Sequence, residues 1–357
     1  MSGTSLDGVD AVLARFNPDT RPQLLRTHYL PYDDTLRARL LALHHAQPDE
    51  LHVAACLAND LARLYAQAVN TLTEHFDSEP IHAIGCHGQT VRHRPDCGYT
   101  LQLGNAALLA ELTGLTVVSD FRSRDLAAGG QGAPLVPAFH AEVAHHPGVH
   151  RVIVNIGGIA NLTDLPPVGP VRGWDTGPGN MLMDAWIQSQ HGVAYDKAGA
   201  WGASGAVQGD LLDQLMRTPY LMQPPPKSAG REQFNLDWLQ TQLTRLGRTI
   251  APADVQATLL EFTAASLARA INQACPTATE IYVCGGGAHN SALLARLRAH
   301  LPAPSIERTD ALGIASDWME AFAFAWLARQ TLHHAPGNLP AVTGAHGPRI
   351  LGAVTLA

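Results

Sequence analysis

Arg172-Gly173-Trp174-Asp175-Thr176-Gly177-Pro178-Gly179-Asn180-Met181 sets one carboxylate among three glycines and a proline, and the apolar run Met181-Leu182-Met183-Asp184-Ala185-Trp186 follows. Glycine lets backbone N–H groups close on an oxyanion, and Pro178 stiffens the turn. A glycine-rich turn feeding a helix is a natural seat for a phosphate or for the acid–base group beside it. The same letters also fit a tight surface turn before an ordinary helix. Recurrence favours the first reading, because glycine-rich turns of this style stand at three further places.

Upstream, Val152 to Thr163 reads as strand, glycine turn, strand, with Asn155-Ile156-Gly157-Gly158 at the turn. Downstream, Ala257 to Ile271 has the spacing of a helix with Leu259, Leu260, Phe262 and Leu267 on its apolar side. Ile281-Tyr282-Val283-Cys284 is a buried strand ending in Gly285-Gly286-Gly287-Ala288-His289-Asn290, and Ser291 opens a helix. Strand, triple glycine and helix let a flat ring or a phosphate approach the backbone. The spacing matches neither a P-loop nor a GxGxxG fingerprint.

The first half has a similar plan. Met1-Ser2-Gly3-Thr4-Ser5-Leu6-Asp7-Gly8 leads into the strand Val9 to Phe16, and Asp7-Gly8 is a hairpin-turn signal. Ser2, Thr4 and Ser5 bring hydroxyls that suit phosphate oxygens, while the strand that should precede this turn is absent from the chain as it stands. Residues 34–76 are helical in period. Ile81 to Cys86 is a short strand ending at His87-Gly88-Gln89-Thr90, where open α/β sheets put ligands. Tyr99 to Asn105 and Thr116 to Asp125 are further strands with loops. Ala127-Ala128-Gly129-Gly130-Gln131-Gly132-Ala133-Pro134 is the most flexible composition and is expected to hold an interdomain hinge.

Composition excludes several classes. The 357 residues suffice for two domains, and a net charge of −7 without long like-charge runs argues against a nucleic-acid or membrane surface. The 18 histidines include His44-His45, His145-His146 and His333-His334, which lack a second pair or a cysteine cluster at ligand spacing and read as solvated helix ends. Cys56, Cys86, Cys97, Cys275 and Cys284 are odd in number and scattered, as expected of a reduced cytoplasmic protein. No signal peptide opens the chain and no apolar run reaches about 18 residues, so a soluble protein is expected.

Met1 to Asp10, His87 to Thr90, Gly129 to Pro137, Asn155 to Gly158, Asp175-Thr-Gly-Pro-Gly-Asn180, Pro226-Lys-Ser228 with Phe234-Asn235, Cys284 to Gly287 and Trp318-Met-Glu320 together resemble the anhydro-N-acetylmuramic acid kinase family, of the actin and sugar-kinase superfamily. The resemblance spans essentially the whole chain. It implies an α/β fold of two ribonuclease-H-like domains facing a cleft, set at 1–128 and 129–357, with the alternative that the extreme carboxyl terminus packs back on the first domain. It implies ATP, with Mg²⁺, as cofactor, and phosphorylation of 1,6-anhydro-N-acetylmuramic acid coupled to hydrolysis of its anhydro bridge. The implied base is Asp175. Implied ATP contacts are Gly3, Thr4, Ser5, Leu6, Asp7, Gly8, Val9, Asp10, Asn155, Gly157, Gly158, Gly285, Gly286 and Gly287, and implied sugar contacts are Thr90 and Glu320. Glu320 also fits a plain helix carboxylate. Asp7 and Asp10 are candidates for the metal, and a homodimer is implied. The family has about one short strand ahead of its Met-Ser-Gly-Thr-Ser motif, whereas Met1 is that methionine here. Upstream in-frame apolar residues are therefore expected. The rival readings are a kinase of another carbohydrate and an actin- or chaperone-like ATPase.

Overall fold

The computed structural model describes the chain apart from residues 4–5, 18–19 and 231–232. Two compact units result: Met1–Val143 with Trp318–Ala357, and Ala144–Asp317. The division expected after Ala128 thus runs through the first unit. Its glycine-rich loop is tied down there. Gly130 and Gly132 donate to the Asp125 carbonyl and Oδ2 at 2.9 and 2.8 Å, and Gln131 donates to the Thr343 carbonyl at 2.8 Å. Asp125, fully buried, also accepts from Asn338 and Thr343 at 2.6 and 2.7 Å, so the loop is fastened to the carboxyl-terminal segment.

In the first unit β1 (Gly8–Arg15) pairs antiparallel with β2 (Gln23–Pro31). Beside them stand β3 (Ile84–Gly85), the antiparallel hairpin of β4 (Gln89–Arg94) and β5 (Tyr99–Leu103), and β6 (Val117–Ser119), which is parallel to β3. The helical period of 34–76 is realised as helices Asp34–Ala42 and Glu50–Thr73. Asp33 caps the first through the Leu36 N–H at 2.7 Å. The second buries Leu57, Leu61, Tyr65, Ala68 and Leu72 at three- and four-residue spacings, as one stripe of a helix must. Helix Met319–Leu332 buries Phe322, Phe324 and Trp326, with Phe324 against Phe121 at 5.4 Å and against His87 at 4.5 Å between ring centres.

The second unit carries β7 (Arg151–Ile156), β8 (Ile159–Leu165), β9 (Arg172–Pro178), β10 (Glu280–Cys284) and β11 (Ser305–Arg308), in the order β11-β10-β7-β8-β9. β7, β8 and β9 are antiparallel, while β10 and β11 extend the sheet parallel to β7. That is the ribonuclease-H-like plan. Val152, Ile153 and Val154 of β7 are wholly buried, as a central strand covered on both faces requires. Helix Pro252–Ala274 supplies one cover, burying Leu259, Leu260, Phe262, Leu267 and Ile271. A last strand, β12 (Ala353–Thr355), returns to the first unit antiparallel to β6.

Candidate active site

Three glycine turns meet at one end of the second unit's sheet. Gly157-Gly158 joins β7 to β8, and its carbonyls accept from the N–H groups of Asn180 at 2.8 Å and Gly179 at 2.9 Å. A Cβ on Gly179 would stand 2.3 Å from the Gly157 carbonyl oxygen, so only glycine allows that approach. Asn180 Nδ2 donates to the Ile156 carbonyl at 3.1 Å. Cys284 of β10 is in register with Asn155 of β7. The next residue, Gly285, has φ +78°, and a Cβ there would lie 2.3 Å from Asn155 Oδ1. Asn155, Gly157, Gly158 and Gly285 to Gly287 therefore share one end of one sheet. Asn180 belongs to the same cluster, and the sequence reading gave it no role.

Asp175 is a strand residue. It is in register with Asn161 of β8, next to a bulge, and β9 runs on to Pro178, so the turn proper begins at Gly179. The Gly/Pro-locked turn expected around it thus starts four residues later, after the strand that holds Asp175 has ended. Its immediate frame comes instead from a distant loop. Asp175 Oδ2 accepts from the Ala229 N–H at 2.9 Å, and its own N–H donates to the Lys227 carbonyl at 3.2 Å. Tyr220 donates its hydroxyl to the Asp175 carbonyl at 2.8 Å. Lys227 Nζ donates to the Tyr220 carbonyl at 3.0 Å and lies 4.6 Å from the centre of that ring. Burial lowers the Lys227 pKa, Arg269 lowers it further, and attraction to Asp175 acts the other way. Bonds to backbone from both directions fix the carboxylate while leaving the residue half-buried.

In the first unit the amino-terminal turn is held by the His87–Thr90 segment. Ser2 Oγ donates to the Gly88 carbonyl at 3.1 Å, and Gln89 Nε2 donates to the Gly3 carbonyl at 3.0 Å. His87 is buried, and Arg122 Nε donates to its Nε2 at 3.1 Å. Nδ1 then carries the proton and donates to the Gly88 carbonyl at 2.7 Å. Desolvation, with Arg122 beside it, holds the His87 pKa well below its usual value. Thr90 Oγ1 accepts from Gln102 at 3.2 Å. Glu320 opens helix Met319–Leu332 and, like Asp10, is close enough to the Met1 ammonium to interact with its charge. Gly3, Leu6, Asp7, Gly8, Val9 and Asp10 form the turn and the start of β1, whereas Thr4 and Ser5 lie outside the described residues. Tyr220, Lys227 and Ala229 were missed as the frame of Asp175. The only signal for them was the Pro226-Lys227-Ser228 motif.

A ribonuclease-H-like sheet with glycine turns gathered at its strand ends, one of them just beyond a framed aspartate, defines the class: an α/β phosphotransferase of the sugar-kinase and actin type. More closely, the chain belongs to the anhydro-N-acetylmuramic acid kinase family, whose profile matches residues 1–357. A relative named anhydro-N-acetylmuramic acid kinase from Thiobacillus denitrificans is 66% identical over 354 residues, covering 99% of this chain and 95% of the relative. One of the same name from Nitrosomonas europaea is 57% identical over 358 residues, covering 99% and 98%. Among solved structures, a ROK family glucokinase from Streptomyces griseus in complex with glucose and AMPPNP aligns at TM-score 0.38 and 14% identity, over 86% of this chain and 93% of that one. A likeness that loose carries no argument.

Proposed function

We propose that the chain uses ATP to open and phosphorylate 1,6-anhydro-N-acetylmuramic acid, giving N-acetylmuramic acid 6-phosphate and ADP in the recycling of peptidoglycan sugar. The observation that carries this is the framed carboxylate of Asp175, in a chain 66% identical to a kinase of that name. Asp175 takes the proton of a water that attacks the anomeric carbon. The bond from that carbon to the bridging oxygen breaks, and the freed 6-oxygen attacks the γ-phosphorus in line. General-base help of this kind accelerates by about 10²–10⁴-fold. Ala229 and Lys227 hold the carboxylate so that little reorientation is needed.

Phosphoryl transfer depends on positioning and charge neutralisation. Gly3 to Asp10 and the Asn155–Gly158 turn are the phosphate contacts of this reading, Gly285 to Gly287 the adenosine contact, and Thr90 and Glu320 the sugar contacts. Mg²⁺ would enter with the nucleotide and neutralise phosphate charge. Asp7 and Asp10 offer the hard carboxylate oxygens that it prefers, Asp7 from the amino-terminal turn and Asp10 from the start of β1. The sugar is a cytoplasmic metabolite in this reading, consistent with free thiols at Cys56, Cys86, Cys97, Cys275 and Cys284. Among the described residues no helix is long and apolar enough to cross a membrane. The association expected is a homodimer, which sedimentation measures.

The test is turnover in heavy-oxygen water, read by mass spectrometry. Each ATP consumed should yield one sugar phosphate with a new reducing end, labelled at the anomeric oxygen and unlabelled in the phosphate. A product that has gained no water, or label in the phosphate, overturns the mechanism in favour of an ordinary sugar kinase or a plain ATPase.

A further inference from the structure

At the end of the second unit's sheet away from the glycine turns, three ligand-bearing side chains converge. His150 stands just ahead of β7, Asp164 on β8, and Cys275 just past helix Pro252–Ala274. One ligand atom of each lies within 4.8 Å of the other two, and all three residues are buried. Buried groups of this kind are costly unless they are paired or hold a metal. The reaction proposed above uses none of them.

Each ligand already has an outer partner that orients it. His150 Nδ1 bonds to Thr277 Oγ1 at 2.7 Å, which turns Nε2 toward the cluster. Arg172 donates to Asp164 Oδ2 through Nε at 2.9 Å and Nη2 at 2.5 Å, which leaves Oδ1 for the cluster. Arg172 Nη2 also donates to the carbonyl of Ala274, beside Cys275, at 2.7 Å. Ligating histidines and carboxylates are held by outer hydrogen bonds of this sort. His150 Nε2 and Asp164 Oδ1 stand 2.6 Å apart, with one proton in the bond between them. Burial, with the Asp164 charge beside it, pushes the Cys275 thiol pKa up, so Sγ keeps its proton too. A divalent cation in place of those two protons leaves the charge of the cluster unchanged.

We propose that His150, Asp164 and Cys275 form a structural zinc site that ties the carboxyl end of helix Pro252–Ala274 to β7 and β8. An imidazole, a thiolate and a carboxylate together suit Zn²⁺. Mg²⁺ keeps to oxygen ligands, so this ion is distinct from the one that accompanies the nucleotide. Bonds of about 2.0–2.3 Å to each ligand atom require only that the His150–Asp164 pair part slightly. The imidazole keeps Nδ1–H on Thr277 and ligates through Nε2, Asp164 ligates through Oδ1 while Arg172 holds Oδ2, and Cys275 ligates as the thiolate. Arg172, with 43% of its side chain exposed, marks the side by which the ion and a fourth ligand, a water, enter.

The experiment titrates the metal-free full chain with Co²⁺, as a coloured stand-in, and with Zn²⁺. Co²⁺ should bind with a thiolate-to-metal charge-transfer band and the visible bands of a tetrahedral ion, and Zn²⁺ should displace it. Tm should rise by about 5 °C or more once Zn²⁺ exceeds its Kd about a hundredfold. Cys275→Ser should lose the charge-transfer band. Cys56→Ser should keep it, although Cys56 Sγ and His52 Nε2 make a second, exposed thiol–imidazole pair at 3.7 Å. Thr277→Val leaves every ligand in place and should weaken binding by about 10–100-fold through loss of the outer bond to His150. A parent without the band, a band that survives Cys275→Ser, or an affinity untouched by Thr277→Val overturns the proposal and leaves the cluster as a hydrogen-bonded clasp.

Discussion

Asp175 shows what one residue's setting does to its chemistry. Its carboxylate is oriented by the Ala229 N–H and its backbone by Lys227 and Tyr220. Asp175→Asn keeps the shape and the acceptor oxygen but cannot take a proton. Turnover should fall on the order of 10²–10⁴-fold, with Tm unchanged within a degree or so. Turnover within threefold of the parent would put the base elsewhere. Asp175 stood out as a candidate from its own neighbours, Gly173, Gly177, Pro178 and Gly179. Its frame did not, because the Ala229 donor stands 54 positions away and no local pattern encodes which loop returns to which strand. Asn180 escaped for a related reason: its amide serves β7, a partner visible only once the sheet is assembled.

Elements with a clear period or a glycine stop were readable, as β7, β8, β10 and helix Pro252–Ala274 show. β3, with two residues, is too short for alternation to declare itself. The loop 127–134 misled for a different reason. Glycine and proline report that a backbone can turn, but not whether its N–H and carbonyl groups find fixed partners. Here they find Asp125 and the Thr343 carbonyl. Asp125→Ala should therefore cost about 2–4 kcal/mol, because buried donors at Gly132, Asn338 and Thr343 lose their acceptor together. Denaturant unfolding reads the loss, and amide exchange should quicken at 338–347 first. Equal exchange there in both proteins would show that the loop needs no such fastening.

Acid stability follows from groups distributed through the molecule. Burial holds His140 at a pKa of about 3 and His93 at about 4. Both folded values lie below the unfolded histidine value near 6.5. Between them the unfolded chain binds more protons, so stability is full above about pH 6.5 and is lost as pH falls toward the folded values. For His140 alone the loss by pH 5 is roughly 2 kcal/mol. His140→Gln should flatten the fall of Tm between pH 7 and pH 5. An unchanged slope would mean that His140 takes no proton on unfolding.

The second unit is one uninterrupted stretch, Ala144–Asp317, set between the two pieces of the first. During synthesis the ribosome therefore completes the later unit before the earlier one. All five strands of β7 to β11 are available once residue 308 has emerged. The amino-terminal unit must wait for helix Met319–Leu332 and β12, keeping the wall behind Phe121, Phe139 and His87 bare in the meantime. A nascent chain arrested just after Asp317 would be half finished in an inverted order, with its newest domain folded and its oldest still in need of a chaperone.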